Sequence, residues 1–91
     1  MERGFATERT HRMFAGECKH SYSPDLQRAA WKKLAILHAA GSLSDLRVPP
    51  GNRLEKLTGQ GQYSIRINDQ WRICFSWRDG DAFEVEIVDY H

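Results

Sequence analysis

Residues 63 to 91 alternate apolar and polar side chains so regularly that few structures other than a β-sheet with one covered face can accommodate them. The alternation has the period of two that places successive side chains on opposite faces of a strand. Between the alternating runs lie residues 68–70 and 79–81, which are residue types that tolerate the backbone angles of tight turns. The apolar members fall into three runs: Tyr63, Ile65 and Ile67; Trp71, Ile73, Phe75 and Trp77; and Phe83, Val85 and Ile87. The stretch therefore predicts three antiparallel strands in a meander.

The register of these strands is restricted, because a slip of one residue would turn every apolar side chain to the wrong face. Three-residue loops keep the apolar sets together, and they place Arg66 directly opposite Arg72 on the other face. Tyr90 joins that second face. The other predicted pairs are Ile67 with Trp71, Ile65 with Ile73, Tyr63 with Phe75, Trp77 with Phe83, Phe75 with Val85, Ile73 with Ile87, Arg72 with Val88, Cys74 with Glu86 and Ser76 with Glu84.

Two directly opposed arginines are unfavourable in a sheet, by about 1 kcal/mol in water and about 4 kcal/mol at a partly shielded surface. A bound anion would reverse the sign, and the planar fork of arginine matches phosphate oxygens. The alternative interpretation is that Arg66 and Arg72 are solvated edge charges neutralised by Glu84 or Glu86. The sequence leaves both interpretations open.

The first half of the chain predicts two helices. A helix from Thr7 to about Ala15 has a capping threonine and a glycine stop, and a second begins after Ser23 with Pro24 in its first turn. Gly41 ends the second helix. Its apolar stripe, at three- and four-residue spacing, consists of Leu26, Ala29, Ala30, Leu34, Leu37 and Ala40. Such a stripe requires a sheet to cover.

The remaining segments are short. Residues 3–5 are compatible with a short edge strand but are too few to assign from the pattern alone, and Leu54 to Thr58 fit the first short strand of the sheet. Residues 42–52 predict a loop in which the Pro49-Pro50-Gly51 run excludes regular structure. The expected fold is α+β, with two N-terminal helices packed on one face of a three- to four-stranded antiparallel sheet.

Size and composition indicate a single domain spanning residues 1–91. Cys18 and Cys74 form no spaced framework, so we expect free thiols in a reducing compartment. Cys18 with His20 is a weak hint of metal-ligand spacing, and we expect no metal or other cofactor. No apolar run reaches signal-peptide or membrane-span length, so we expect a cytoplasmic protein. A net charge of +1 argues against indiscriminate binding of nucleic acid.

Four sequence motifs resemble those of the HigB toxins of the RelE/ParE superfamily, which are bacterial type II toxin-antitoxin proteins. They are Leu46-Arg47-Val48-Pro49-Pro50-Gly51-Asn52-Arg53-Leu54-Glu55, Tyr63-Ser64-Ile65-Arg66, Asn68-Asp69-Gln70-Trp71-Arg72-Ile73 and Val88-Asp89-Tyr90-His91. The resemblance implies a RelE-like, microbial-RNase-like fold. It also implies a metal-independent endoribonuclease that cuts mRNA in the ribosomal A site and so inhibits translation.

The resemblance assigns roles to individual residues. In this reaction the ribose 2′-hydroxyl attacks the adjacent phosphate and the 5′-oxygen leaves, which requires a base, an acid and charge stabilisation. Arg72 is the expected ligand of the scissile phosphate. Asp89, Tyr90 and His91 match the family's chain end, and His91 has an imidazole suited to proton transfer near neutral pH.

The short strand before the hairpin departs from the family pattern. Some members carry a histidine and a lysine there, whereas this chain has Leu54-Glu55-Lys56-Leu57-Thr58 and no histidine. The counterpart of the lysine is either Lys56 or Thr58. Arg53, Lys56 and Arg66 are the expected RNA- and phosphate-binding residues.

The implied partners are the ribosome with its mRNA and a HigA-type helix-turn-helix antitoxin, through which the toxin would reach operator DNA. Two other functions are open within the superfamily. One is a ParE-like inhibitor of DNA gyrase that lacks nuclease activity. The other is a catalytically weak protein that binds the antitoxin and serves only as a corepressor.

Overall fold

The computed structural model describes residues 3–6 and 23–89. Their strands form one antiparallel sheet in the order β1-β2-β3-β4. The elements are helix α1 (Pro24–Ala39), two 3-10 helices (Leu43–Arg47 and Pro50–Asn52), β1 (Glu55–Lys56), β2 (Gln62–Arg66), β3 (Trp71–Arg78) and β4 (Asp81–Asp89). The α+β prediction is confirmed with one helix, and the other helix predicted over residues 7–15 lies outside the described residues.

Helix α1 begins where the sequence predicts. The Ser23 hydroxyl accepts the Leu26 N–H at 3.1 Å, Pro24 occupies the first turn, and Asp25 lies near the positive end of the helix dipole. The helix ends at Ala39, and the N–H of Ala40 closes its last turn. The predicted second helix is therefore confirmed within two residues of Gly41.

The core lies between α1 and one face of the sheet. Leu26, Ala30 and Leu37 of the helix are buried, and Ala29 and Leu34 pack against them half-buried. The buried apolar residues outside the helix are Ala40, Leu46, Ile65, Ile67, Ile73, Phe75, Ala82, Val85 and Ile87. Burying each of the larger side chains contributes about 1.5–3 kcal/mol, so this face provides most of the driving force for folding.

The β2–β3 hairpin has the predicted register. Ile65 pairs with Ile73, Tyr63 with Phe75, and Arg66 with Arg72. The loop between the strands is the predicted three-residue turn 68–70. Period-two alternation was sufficient to predict the register of this hairpin, because the turn length and the burial pattern require the same pairing.

The β3–β4 hairpin begins with the predicted register and then departs from it. Arg72 pairs with Val88, Ile73 with Ile87 and Cys74 with Glu86, as expected. Beyond a bulge between Cys74 and Ser76, the pairs are Ser76 with Phe83, Trp77 with Ala82 and Arg78 with Asp81. The predicted pairs of Trp77 with Phe83 and Ser76 with Glu84 are therefore wrong, and Phe75 with Val85 falls at the bulge.

The cause is the length of the turn. Asp79 and Gly80 have φ of 51° and 80°, the positive values of a two-residue type I′ turn, where a three-residue loop was predicted. The shorter turn moves Ala82 into the buried position and turns Phe83 to the other face. Glu84, at φ 53°, is the extra residue of the bulge that returns Val85 to the core.

The segments flanking these elements also differ in part from expectation. Residues 3–6 form a parallel bridge, Phe5 with Val85, along the outer edge of β4, in a segment that the sequence pattern alone left unassigned. β1 lies within the predicted Leu54–Thr58 strand. The loop over residues 42–52 was predicted to lack regular structure, yet it contains both 3-10 helices, because short i→i+3 turns tolerate the prolines.

Candidate functional site

An open cleft of about 370 Å³ lies at the end of the sheet where the 68–70 turn meets the segment before β1. Three arginines and two residues with carboxylates line it. The lining residues are Arg53, Glu55, Arg66, Asn68, Asp69, Gln70 and Arg72. The cleft is therefore positively charged and polar, as an anion-binding site requires.

Arg72 is fixed before any ligand arrives. It is 7% exposed, and its Nε donates to Ser64 Oγ at 2.8 Å while its Nη2 donates to the Ser64 carbonyl at 3.3 Å and to the Arg53 carbonyl. Its Nη1 lies 4.0 Å from Glu55 Oε1. A buried guanidinium requires such partners, and here they also restrict its orientation.

Arg66, opposite Arg72 in the ladder, turns away from it along the 68–70 turn. Its Nε donates to the Asn68 carbonyl at 3.0 Å, and its Nη2 is paired with Asp69. The two guanidinium groups therefore separate, each held by its own partners. The carboxylates of Asp69 and Glu55 offset part of the positive charge of the pair.

The carboxylates that accompany these arginines are not the predicted ones. Asp69 pairs with Arg66, and Glu55 approaches Arg72, whereas the sequence suggested Glu84 or Glu86. Glu55 was missed because its proximity depends on the pairing of β1 with β2. Asp69 is exposed on the turn, so its ion pair with Arg66 lies at the surface.

Arg53 enters the cleft from the segment before β1. It is exposed and left-handed, with φ 45° and ψ 60°, a sparsely populated conformation for a residue with a side chain. Arg53 is one of the lining residues, and its carbonyl accepts a hydrogen bond from Arg72. One residue thus both lines the cleft and supports a second arginine.

The 68–70 turn joins the cleft to the end of β4. Asn68 Oδ1 accepts the N–H groups of Gln70 and Trp71, each at 2.9 Å, and so holds the turn. Gln70 Nε2 donates to Asp89 Oδ2 at 3.0 Å. Asp89 therefore lies beside the cleft, one residue before the predicted terminal pair.

A second layer of polar contacts lies behind the cleft. Lys33 of α1 donates to Asn52 Oδ1, and Asn52 is completely buried. Desolvation lowers the pKa of Lys33, and the positive charge of Arg66 lowers it further. The charge of Arg66, a cleft residue, therefore influences the protonation of Lys33.

The structure brings together some of the predicted site residues. Arg53, Arg66 and Arg72 line the cleft, and Asp89 is hydrogen-bonded to one of its residues. Lys56 is exposed and pairs with Tyr63, so its position in the ladder belongs to the opposite face of the sheet and it does not line the cleft. Tyr90 and His91 lie outside the described residues.

Sequence reasoning missed Ser64, Gln70 and Asn52. Ser64 could have been found, because the predicted register places it beside Arg72 on the same face. Gln70 and Asn52 act through tertiary contacts that no local pattern indicates.

The part of the chain that the structure describes shows no group of three or more His, Cys, Asp or Glu side chains suited to a metal ion. Cys74 is half-buried and is not part of a disulfide, and Cys18 lies outside the described residues. Within residues 3–6 and 23–89, no helix has the length and apolar character of a membrane span.

Comparison with known proteins identifies the family. Residues 3–91 match the model of the HigB-like toxins, described as the RelE-like toxin of the type II toxin-antitoxin system HigB. The chain belongs to the HigB-like toxin family. The resemblance to the HigB toxins, first indicated by four sequence motifs, is thereby confirmed over a longer stretch than those motifs cover.

Relatives of this HigB-like toxin support the assignment. It is 40% identical over 84 residues to Toxin HigB-1 of Vibrio cholerae, covering 90% of this chain and 80% of that protein. It is 31% identical over 81 residues to an uncharacterized protein of Haemophilus influenzae, covering 86% and 80%. The YoeB dimer structure from Staphylococcus aureus aligns with a TM-score of 0.54 and 18% identity over 98% of this chain and 95% of that one, which shows a shared fold.

Proposed function

We propose that this HigB-like toxin is a ribosome-dependent mRNA endonuclease that inhibits translation. The observation that supports the proposal is the convergence of Arg53, Arg66 and Arg72 on one open cleft at the end of the sheet where Asp89 lies. Three guanidinium groups around one cleft suit the phosphodiester backbone of RNA. A protein of net charge +1 needs such a local arrangement, since its overall field is weak.

In the proposed reaction the ribose 2′-oxygen forms a bond to phosphorus, and the bond from phosphorus to the 5′-oxygen breaks. A base takes the proton of the 2′-hydroxyl, and an acid gives a proton to the departing 5′-oxygen. Arg72 stabilises the negative charge that develops on the phosphate oxygens. Since its guanidinium is already oriented, it needs little reorganisation, and arginine charge serves in place of a metal ion.

The remaining catalytic groups of the proposal are Asp89, Tyr90 and His91. His91 would transfer protons, since its imidazole is suited to that task near neutral pH. Tyr90 would stack on a base or pass a proton, and Asp89 would orient either neighbour. Arg53 and Arg66 would hold the phosphates that flank the scissile one. Lys56, on the other face of β1, would contact RNA or ribosomal RNA outside the cleft.

The partners belong to the same proposal. A type II toxin has an antitoxin, and we propose a HigA-type helix-turn-helix protein, through which the complex would reach operator DNA. The ribosome would present the mRNA to the cleft. The toxin would act in the cytoplasm, where ribosomes and mRNA meet.

The test is cleavage of mRNA on purified ribosomes, with the cut ends mapped to codons. We expect Arg72→Ala to reduce the cleavage rate by at least about a hundredfold, because a positioned charge at the reacting phosphate is lost. Arg72→Lys keeps the charge but not the fork, and it should also cut slowly. Lys32→Met, an exposed lysine of α1 far from this role, is the charge-matched control and should cut at the wild-type rate.

Because Arg72 is buried, its variants must first be shown to fold by circular dichroism. Arg66→Ala and deletion of His91 provide independent variants at more exposed or terminal positions. Normal cutting by all of these folded proteins would refute the site assignment. Intact mRNA with induced DNA damage would identify a gyrase inhibitor, and expression without any effect on growth would identify a corepressor.

A further inference from the structure

The completely buried amide of Asn52 organises the segment that supplies one cleft arginine and supports another. Its Nδ2 donates to the Leu46 carbonyl at 3.2 Å and to the Val48 carbonyl at 3.3 Å. Its Oδ1 accepts a hydrogen bond from Lys33 Nζ. Both amide protons and the amide oxygen are thus engaged, so residues 46–52 are folded around this one side chain.

The direction of the amide is fixed by the chemistry of its neighbours. An ammonium group only donates, and backbone carbonyls only accept, so Oδ1 must face Lys33 and Nδ2 must face Leu46 and Val48. Lys33 belongs to α1, which is anchored in the core by Leu37. The helix thereby fixes the position of the loop.

The loop transmits this position to the cleft. The N–H of Asn52 donates to the Pro49 carbonyl at 3.0 Å, and the N–H of Arg53 donates to the Pro50 carbonyl at 3.1 Å. The 3-10 helix therefore ends on Arg53, which is left-handed and whose carbonyl receives Arg72 Nη2. A left-handed residue with a side chain persists where its surroundings impose that conformation, and it occurs frequently at functional sites.

We propose that Asn52, oriented by Lys33, is a positioning residue of the cleft: its buried amide holds the left-handed turn at Arg53 and so orients both Arg53 and Arg72 toward the bound phosphate. The identity of the ligand rests on the proposed function, whereas the positioning rests on the contacts above. Asn52 touches no substrate in this scheme and acts through the two arginines.

Three variants separate the elements of this scheme. Asn52→Asp keeps the shape and an acceptor for Lys33, but it replaces the donors to Leu46 and Val48 with an oxygen that repels their carbonyls. Lys33→Met keeps the aliphatic stem and removes the donor to Asn52. Lys32→Met is the matched control, because it removes the same charge from the adjacent, exposed position of α1.

The first readout is the solvent exchange of the Arg72 Nε–H, followed by its ¹H–¹⁵N signal. This proton is bonded to Ser64 Oγ in the wild-type protein. We expect Asn52→Asp to accelerate its exchange by about tenfold or more, since the loss of one buried hydrogen bond is of that order. Lys33→Met should accelerate it less, and Lys32→Met should leave it unchanged. Amide exchange of Ile73 in the sheet core should be unchanged in every variant.

The second readout is cleavage of ribosome-bound mRNA. A misdirected Arg72 should lower kcat with little change in KM, because its charge is needed chiefly in the transition state. If folded Asn52→Asp and Lys33→Met proteins both retain the wild-type Nε–H exchange and the wild-type kcat, the inference is overturned. If the exchange accelerates but even the wild-type protein cuts no mRNA, the positioning stands and the proposed function fails. Should Asn52→Asp not fold, the Nε–H exchange and the kcat of Lys33→Met alone test the inference.

Discussion

The three arginines of the cleft have the same side chain, but each lies in a different environment. Arg72 is buried and held from several sides, Arg66 lies along a turn with Asp69 as its counterion, and Arg53 is exposed on a left-handed residue. Preorganised charge stabilises a transition state more effectively than charge that must first be oriented. Under the proposed function, Arg72 is therefore the arginine best suited to the reacting phosphate.

The backbone and side chain of Arg53 can be separated by substitution. Arg53→Gly and Arg53→Ala both remove the guanidinium and keep the carbonyl that accepts from Arg72. Glycine adopts φ 45° without steric conflict, whereas alanine does not. We expect the glycine variant to be the more stable by about 1 kcal/mol in urea unfolding. Both should bind RNA more weakly than the wild-type protein.

Equal unfolding free energies for the two variants would show that the left-handed conformation is not strained. Wild-type RNA affinity in both would remove the guanidinium of Arg53 from the proposed site. Because the two variants lack the same charge, the difference between them reports the backbone alone.

At this scale the sequence predicted positions better than contacts. The opposition of Arg66 and Arg72 follows from period-two alternation with a three-residue turn, and the structure confirms it. The left-handed angle of Arg53 and the bond between Lys33 and Asn52 depend on residues 19 positions apart, and no local pattern encodes them. Contacts between distant segments become visible only when the packing of α1 is known.

The β3–β4 hairpin shows how turn chemistry and hydrophobic alternation can disagree within one element. Alternation favoured Phe83 as a core residue, yet Asp79-Gly80 forms a two-residue turn that shifts the pairing by one. Phe83 lies instead beneath the guanidinium of Arg78, whose carbon is 4.3 Å from the ring centre. The bulge at Glu84 corrects the register, and its position could not be predicted because a positive φ there has no sequence signal.

This turn gives a prediction with an internal control. Gly80 has φ 80°, so Gly80→Ala should destabilise the protein by about 1 kcal/mol, measured as a lower urea midpoint. Gly51→Ala places a methyl group where no atom lies within 4 Å and should change stability by less than about 0.5 kcal/mol. A loss of equal size in both variants would contradict the assigned turn geometry.

Across the whole molecule, charge is distributed unevenly along the chain. Residues 1–53 carry nine Lys and Arg against five Asp and Glu, and residues 54–91 carry four against seven. Arg53 of the first part and Arg66 and Arg72 of the second line the same cleft. The fold therefore brings together positive charges that are far apart in the sequence. Attraction to RNA should therefore depend on a small number of contacts.

The salt dependence of RNA binding tests this view. Three arginine–phosphate contacts predict a slope of log affinity against log salt of about −2 for single-stranded RNA. Arg66→Ala should reduce the magnitude of that slope by about 0.7, whereas Lys32→Met should leave it unchanged. The measurement is fluorescence anisotropy with a short, uncleavable oligonucleotide across a salt series. A much steeper slope would mean that RNA contacts a larger surface than the cleft.

The pairing of residues 3–6 with β4 has a consequence for colloidal behaviour. An uncovered strand edge is a template on which other chains can add, and it is a common start of aggregation. Here Phe5 and its neighbours cover β4 as far as Val85, and the strand continues past that point with Glu86 and Asp89. At the opposite border of the described sheet, the free edge is β1, two residues long and occupied by Glu55 and Lys56. Both borders of the described sheet therefore offer little uncovered strand for the addition of another chain.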